Sequence, residues 1–346
     1  MIKEAISKVV EGRDLESEEA RLVMEEIMSG RATSAQIASF LTALRMKGEK
    51  VEEIVSFAHT MLRYASIISP KVDGVMVDTC GTGGDRIKTF NISTISAFVA
   101  AGAGLVIAKH GNRAVSSKAG SADVLEALGV NVTLEPKSVR ECIEEVRMGF
   151  MFAPIFHPAM KYAIGPRREI GIRTVFNILG PLTNPAKVKA QVIGVYDVSL
   201  VEKIAEVLKG LRLRHAIVAH GLDGLDELSP IGETKIAELK DGKILTYSVA
   251  PEDFGLESVK VREIEGGNAD ENARVTIDIL KGRKGARRNA VLMNAAAAMV
   301  VGGLTANLKD GFELAAVSID SGEAYRKLED LIRFTGGQSR LERFNR

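Results

Sequence analysis

Apolar residues recur at three- and four-residue spacing through 19–28, 36–46 and 51–64, the pattern of helices that bury one face. Thr33 with Gln36 reads as a capping box, and Gly30 and Gly48 stand where the preceding helices should stop. No strand pattern appears before Pro70, so residues 1–70 are expected to form a helical N-terminal domain. After Pro70 the period shortens. Short apolar strands are expected at 75–78, 105–109, 130–134, 150–154, 191–196 and 216–219. Helices are expected between them at 93–101, 121–128, 136–148 and 200–211, with a further one at 173–179 that stops at Gly180-Pro181. Such alternation predicts an α/β domain with a mostly parallel central sheet. Asp241-Gly242 reads as the turn of a hairpin between 234–239 and 243–249. From Asp270 the pattern is helical again, with a buried helix in 290–304 and a last amphipathic one at 324–334.

Length and composition sharpen this picture. The 346 residues exceed the roughly 250 to 300 that one core usually serves, which favours two domains with a cleft between them. The 46 Lys plus Arg against 45 Asp plus Glu provide no broad field for nucleic acid or an anionic membrane, so no partner of either kind is expected. Met1 to Ala20 has no continuous apolar run, and 290–304 is interrupted by Asn294 and too short to span a bilayer. With only Cys80 and Cys142 there is no disulfide framework, and the cytoplasm is the expected location. The 33 glycines, above the ~7% typical of proteins, predict many close backbone turns.

Five polar clusters follow strand ends or open the helices after them. Gly81-Thr82-Gly83-Gly84-Asp85 can wrap a pyrophosphate with backbone N–H groups, or simply turn tightly. It has no Gly-Lys-Ser/Thr ending, and Arg86 occupies the third glycine position of a dinucleotide fingerprint, so the two commonest nucleotide motifs are excluded. Asn91-Ile92-Ser93-Thr94 opens a helix, where hydroxyls serve as caps or as phosphate donors. Lys109-His110-Gly111-Asn112-Arg113-Ala114-Val115-Ser116-Ser117 combines cations, an amide and hydroxyls suited to a multiply charged ligand. Asp223 to Glu227 brings hard carboxylate oxygens that suit magnesium, or forms an exposed acidic turn. His157-Pro158-Ala159-Met160 with Arg167-Arg168 offers apolar area and a guanidinium fork for an aromatic carboxylate, or a surface basic pair. His215 and His220 flank a strand and read as structural.

With these clusters in view the chain resembles the anthranilate phosphoribosyltransferase family nearly end to end. The carrying segments are Gly81 to Asp85, Asn91 to Thr94, Lys109 to Arg113, Gly120-Ser121-Ala122-Asp123-Val124-Leu125-Glu126, His157 to Lys161, Gly180-Pro181-Leu182-Thr183-Asn184-Pro185 and Asp226-Glu227. The resemblance implies a nucleoside-phosphorylase-like fold. A helical domain, 1–70, would be joined in space by helical segments around 160–185, and 71–346 would form the domain that binds phosphoribosyl pyrophosphate. It further implies a homodimer through the helical part, Mg2+ as cofactor, and transfer of the phosphoribosyl group to the amine of anthranilate. Carried over by motif, phosphoribosyl pyrophosphate would meet the Gly81 to Asp85 loop, Thr89, Asn91 to Thr94, the Lys109 to Ser117 loop and Ser121. Anthranilate would meet Gly81, Asn112, His157, Met160 and Arg167; the metal would meet Ser93, Asp226 and Glu227. Lys109 and Arg167 would carry catalysis. The chain departs from the family at Arg86-Ile87, where a glycine usually follows the aspartate, and at Ala119, where serine is common. A nucleoside phosphorylase of the same fold is the nearest rival, less similar at the Lys109 loop and at Asp226-Glu227.

Overall fold

The computed structural model describes residues 1–84, 87–114 and 118–344. Four helices lead: α1 (Ile2–Val10), α2 (Ser17–Met28), α3 (Ser34–Lys47) and α4 (Val51–Arg63). The capping box that opens α3 is formed, with the Thr33 N–H donating to Gln36 Oε1 (2.9 Å) and the Gln36 N–H to Thr33 Oγ1 (3.3 Å). Gly30 and Gly48 take positive φ after α2 and α3, as their places predict.

Strand and helix then alternate: β1 (Met76–Gly81), α5 (Ile92–Gly102), β2 (Val106–Gly111), α6 (Ser121–Leu128), α7 (Pro136–Val146) and β3 (Met148–Phe152). A helical excursion follows, α8 (Ala153–Phe156), α9 (Lys161–Ile170) and α10 (Phe176–Leu182), before β4 (Ala190–Gly194), α11 (Leu200–Gly210) and β5 (His215–Gly221). The hairpin β6 (Thr234–Lys240) and β7 (Lys243–Val249) turns at Asp241 (φ 47°) and Gly242 (φ 81°), the left-handed pair that a two-residue turn requires. The short α12 (Val261–Ile264) precedes α13 (Ala269–Leu280), α14 (Ala286–Val301), α15 (Leu308–Asp320) and α16 (Glu323–Phe334).

Two expectations are corrected. Residues 130–134 pair with no strand. Gly129 ends α6 in the left-handed region, and Val130 and Val132 bury their side chains on the way to α7, so their apolar character reflects packing and not a ladder. The helix expected to stop at Gly180-Pro181 begins later and runs through both residues to Leu182.

The sheet order is β3-β2-β1-β4-β5-β6-β7, parallel from β3 to β5 and antiparallel across the hairpin. After moving outward from β1 to β3 the chain returns to lay β4 on the other side of β1, so the strand order reverses between β1 and β4. Crevices at the carboxyl ends of strands at such a reversal are where α/β sheets bind ligands. One sheet face packs on α5, α13, α14 and α16. The other, through Ile193, Val195, Ala216 and Val218, shares a continuous apolar core with α11 and the helices α1 to α4, α9 and α10. Among the described residues no helix is long and apolar enough to cross a membrane.

Candidate active site

At the reversal point two neighbouring strands end in glycine in register, Gly81 opposite Gly194. Both make room for Asp226. A Cβ on Gly194 would fall on the Asp226 carbonyl oxygen, and one on Gly81 would lie 2.6 Å from Asp226 Oδ2. The turn after β5 is held by its own polar groups: Asp223 accepts from the Leu225 N–H (3.0 Å) and from the Ser229 hydroxyl. This turn directs the largely buried Asp226 and Glu227 over the sheet edge. Asp226 Oδ2 accepts the Gly83 N–H (2.8 Å), and Glu227 Oε1 accepts the Ser93 N–H at the start of α5 (3.2 Å). Gly83 and Gly84 take φ of 68° and 79°, a backbone that glycine adopts without steric cost. Thr82 is fixed at both ends, its N–H on the Gly194 carbonyl (2.9 Å) and its hydroxyl accepting from the Tyr196 N–H (3.1 Å).

Around α5 the predicted residues divide. Thr94 Oγ1 is buried with no partner among the described residues, an acceptor and donor left for a ligand. Ser93 gives its carbonyl to the Thr79 hydroxyl (3.0 Å). Ile92 is core, so only its backbone can meet a ligand. Asn91 does not cap α5 with its side chain; it joins a loop to α13, donating to the Ala119 carbonyl (3.1 Å) and accepting from Asn272 (3.0 Å). Thr89 is tied by a backbone bridge to Glu265.

Lys109 runs beneath the glycine loop, buried, with Nζ on the Thr79 carbonyl at 2.5 Å. Beside it Asp78, a charged residue inside an apolar strand, accepts from the His110 N–H (3.3 Å), Asn184 Nδ2 (2.8 Å) and Gln191 Nε2 (3.4 Å). Burial pushes the Asp78 carboxyl up to about 6, against the pull of Lys109 and these donors. Burial lowers the Lys109 ammonium, while the Asp78 charge holds it up. Cys80 has its thiol raised well above the ordinary range by burial and accepts from Gln191 Nε2 (3.4 Å), consistent with a packing role.

The second loop begins at Gly111 and is closed by Asp123 on α6. Asp123 Oδ2 accepts from both the Ala114 N–H (3.0 Å) and the Gly120 N–H (2.8 Å). The Asn112 carbonyl accepts from the Ser121 hydroxyl and the Ala122 N–H, each at 3.2 Å. Arg113, expected to face phosphate, binds Asp123 (3.0 Å) and Glu126 (2.5 Å) on α6 and lies over Phe152. Asp85, Val115, Ser116 and Ser117, with the divergent Arg86, lie outside the described residues.

On the helical side, His157 packs its ring against His110, centroids 5.0 Å apart, and Nε2 engages the Thr183 carbonyl (3.0 Å). Burial pushes His110 down to about 3 and His157 down to about 4, so both are neutral near pH 7, and His110 Nε2 is buried without a partner among the described residues. Met160 packs against the helical core. Arg167 lies over the Phe176 ring at 5.2 Å, its charge disfavoured by burial, and no carboxylate pairs with it among the described residues. His215 pairs with Glu238 (2.7 Å) and His220 with the Val195 carbonyl (2.6 Å), structural as expected.

The strand ends thus gather Gly81 to Gly84, Ser93, Lys109, His110, His157, Asp226 and Glu227, whereas Arg167 and Met160 stand on the adjoining helices. Sequence reasoning overlooked Arg173 and Tyr196, and it placed Asp78 at the end of the strand that leads to the glycine loop without giving it a role of its own. A lone carboxylate within an apolar strand was the available signal for Asp78; Arg173 carries none, since it sits among other basic residues.

Two family models match, the helical bundle domain of a glycosyl transferase family over residues 3–65 and its a/b domain over residues 73–325. The anthranilate phosphoribosyltransferase of Acetivibrio thermocellus is 52% identical over 335 residues, 97% of each chain. That of Pelotomaculum thermopropionicum is 54% identical over 339 residues, 98% of each. Among solved structures, the anthranilate phosphoribosyltransferase of Thermus thermophilus matches with a TM-score of 0.91 at 43% identity, over 96% of this chain and 99% of that one. The Saccharomyces cerevisiae enzyme in complex with PRPP and Mg matches with a TM-score of 0.89 at 30% identity, over 97% and 98%.

Proposed function

This chain belongs to the anthranilate phosphoribosyltransferase family, and from that premise we propose how its residues transfer the phosphoribosyl group of 5-phosphoribosyl 1-pyrophosphate to the anthranilate amine. The product is N-(5-phosphoribosyl)anthranilate, with pyrophosphate leaving, the second step of tryptophan biosynthesis from chorismate. The observation that carries the assignment of roles is the convergence of Asp226 on Gly83 and Glu227 on Ser93 over the ends of β1 and β4.

Displacement at the ribose C1 places positive charge on the ring and negative charge on the departing pyrophosphate. The chain's task is therefore mainly electrostatic and positional. The backbone N–H groups of Gly81 to Gly84 and the start of α5, with the Thr94 hydroxyl, bind phosphate oxygens. The Lys109 ammonium beneath the loop supplies a fixed positive field. Arg167 holds the anthranilate carboxylate in its guanidinium fork, and neutral His110 and His157 wall the aromatic ring without adding a charge that would oppose the developing cation.

Ser93, Asp226 and Glu227 suit magnesium. Among the described residues no three His, Cys, Asp or Glu side chains converge, and magnesium is characteristically held by one or two carboxylates, substrate phosphates and water. When bound, the ion neutralises the leaving pyrophosphate. The same reading takes the protein as cytoplasmic, a homodimer through its helical part, and divided into a helical unit of residues 1–70, joined by the segments around 160–185, and an α/β unit of 71–346.

The test follows anthranilate fluorescence as phosphoribosyl pyrophosphate and magnesium are added. Anthranilate is expected to disappear with both present; its persistence refutes the reaction. Asp226→Asn with Glu227→Gln is expected to raise the magnesium needed and lower turnover, and full rate at low magnesium refutes the metal assignment.

A further inference from the structure

Arg173 lies in the connection between α9 and α10, in the part of the molecule where α9 packs on α2 and α3. Its guanidinium nevertheless reaches the glycine loop, donating from Nη2 to the Gly84 carbonyl. The same group rests on the Tyr196 ring, Cζ 4.1 Å from the centroid. Tyr196 in turn donates its backbone N–H to the Thr82 hydroxyl (3.1 Å). Two points of the loop are thereby held from one stacked pair. Gly84 fits this arrangement, for a Cβ there would lie 2.5 Å from Nη2. A glycine at that place serves the approach of the guanidinium as well as the turn.

The same short stretch of chain holds Arg167 on α9, over Phe176 on α10. On the reading above, Arg167 meets anthranilate and the glycine loop meets pyrophosphate. Resting on that reading, we propose that Arg173 is a positioning residue that couples the two halves of the site, so that each ligand tightens the binding of the other. A ligand that seats α9 and α10 fixes Arg173, and Arg173 fixes the loop. Linkage requires the effect to be equal in both directions. The task suits arginine, whose planar fork donates a hydrogen bond while its face stacks; a lysine ammonium cannot do both.

The experiment titrates anthranilate by fluorescence with and without magnesium pyrophosphate, a pair that cannot react, and titrates magnesium pyrophosphate calorimetrically with and without anthranilate. In the native protein each ligand is expected to tighten the other at least about 5-fold, by the same factor in both titrations. Arg173→Lys should bring that factor close to one while changing the affinity for anthranilate alone by less than about 2-fold, below the smallest coupling sought. Should that variant fail to fold, Tyr196→Leu removes the stacking platform and is expected to abolish the coupling likewise. A native factor near one, or a native-like factor in the variants, overturns the proposal. Turnover of the native protein is measured in parallel; failure there strikes the proposed reaction instead, which keeps the two claims apart.

Discussion

A guanidinium that is half-buried and has no carboxylate among the described residues is costly to keep unless an anion completes it, and Arg167 is such a group. Arg167→Ala is expected to raise the KM for anthranilate with little change in kcat. Loss of a hydrogen bond to a charged group, ~1.5–3 kcal/mol, corresponds to roughly 10- to 150-fold; steady-state kinetics at saturating phosphoribosyl pyrophosphate measures it. The buried pair His110 and His157 sets a dependence on acid. Both titrate far below the ordinary 6.5, mainly through burial. Below about pH 6.5 the unfolded chain gains protons that the folded chain refuses, so their contribution to stability is present above that pH and is lost as pH falls toward 4 and 3. Asp78, raised to about 6, acts in the opposite sense between roughly pH 4 and 6. A comparison of parent with His110→Gln/His157→Gln cancels that opposing contribution. The midpoint of thermal unfolding should fall less steeply from pH 7 to pH 5 in the double variant. At this scale the polar residues that gather at the strand ends were largely legible, because polar side chains after strand ends have little else to do. Asp78 and Arg173 were not, since their partners Asn184, Gln191 and Gly84 lie about 90 or more positions away in sequence.

Among elements, the junction of β1 and β4 is the most exposed to test. Gly194→Ala would drive its Cβ into the backbone of Asp226. Overpacking of this kind is expected to destabilise by ~1–3 kcal/mol, and displacement of the carboxylates by about 1 Å to lower turnover on the order of 100-fold. Thermal unfolding and kinetics on one preparation check both effects; native turnover in Gly194→Ala would show that the close approach is dispensable. Strand and helix alternation was readable because each element repeats its apolar positions with its own period. Residues 130–134 misled because Val130 and Val132 satisfy a strand period while being buried by α6 and its surroundings. Gly180-Pro181 misled because both fall in the last turn of α10, where the missing proline N–H costs a single helical bond.

For the whole molecule, the expectation of a helical part and an α/β part describes the order of the chain better than the way it packs. One apolar core runs from α1 through α11 into the sheet, a continuity that hydrophobic periodicity cannot disclose, because it records which face is buried and not against what. The reversal of strand order has a further consequence, in the time taken to fold. β1 finds β4 only after more than a hundred intervening residues have been arranged, and Asp226 arrives later still along the chain. Non-local pairings of this kind form slowly. The groups proposed to hold pyrophosphate are therefore expected to come together late in folding, after the rate-limiting barrier. Magnesium pyrophosphate should accordingly slow unfolding and leave the refolding rate unchanged, an asymmetry that stopped-flow mixing in denaturant would reveal, and an accelerated refolding arm would mean that the crevice exists before the sheet is complete.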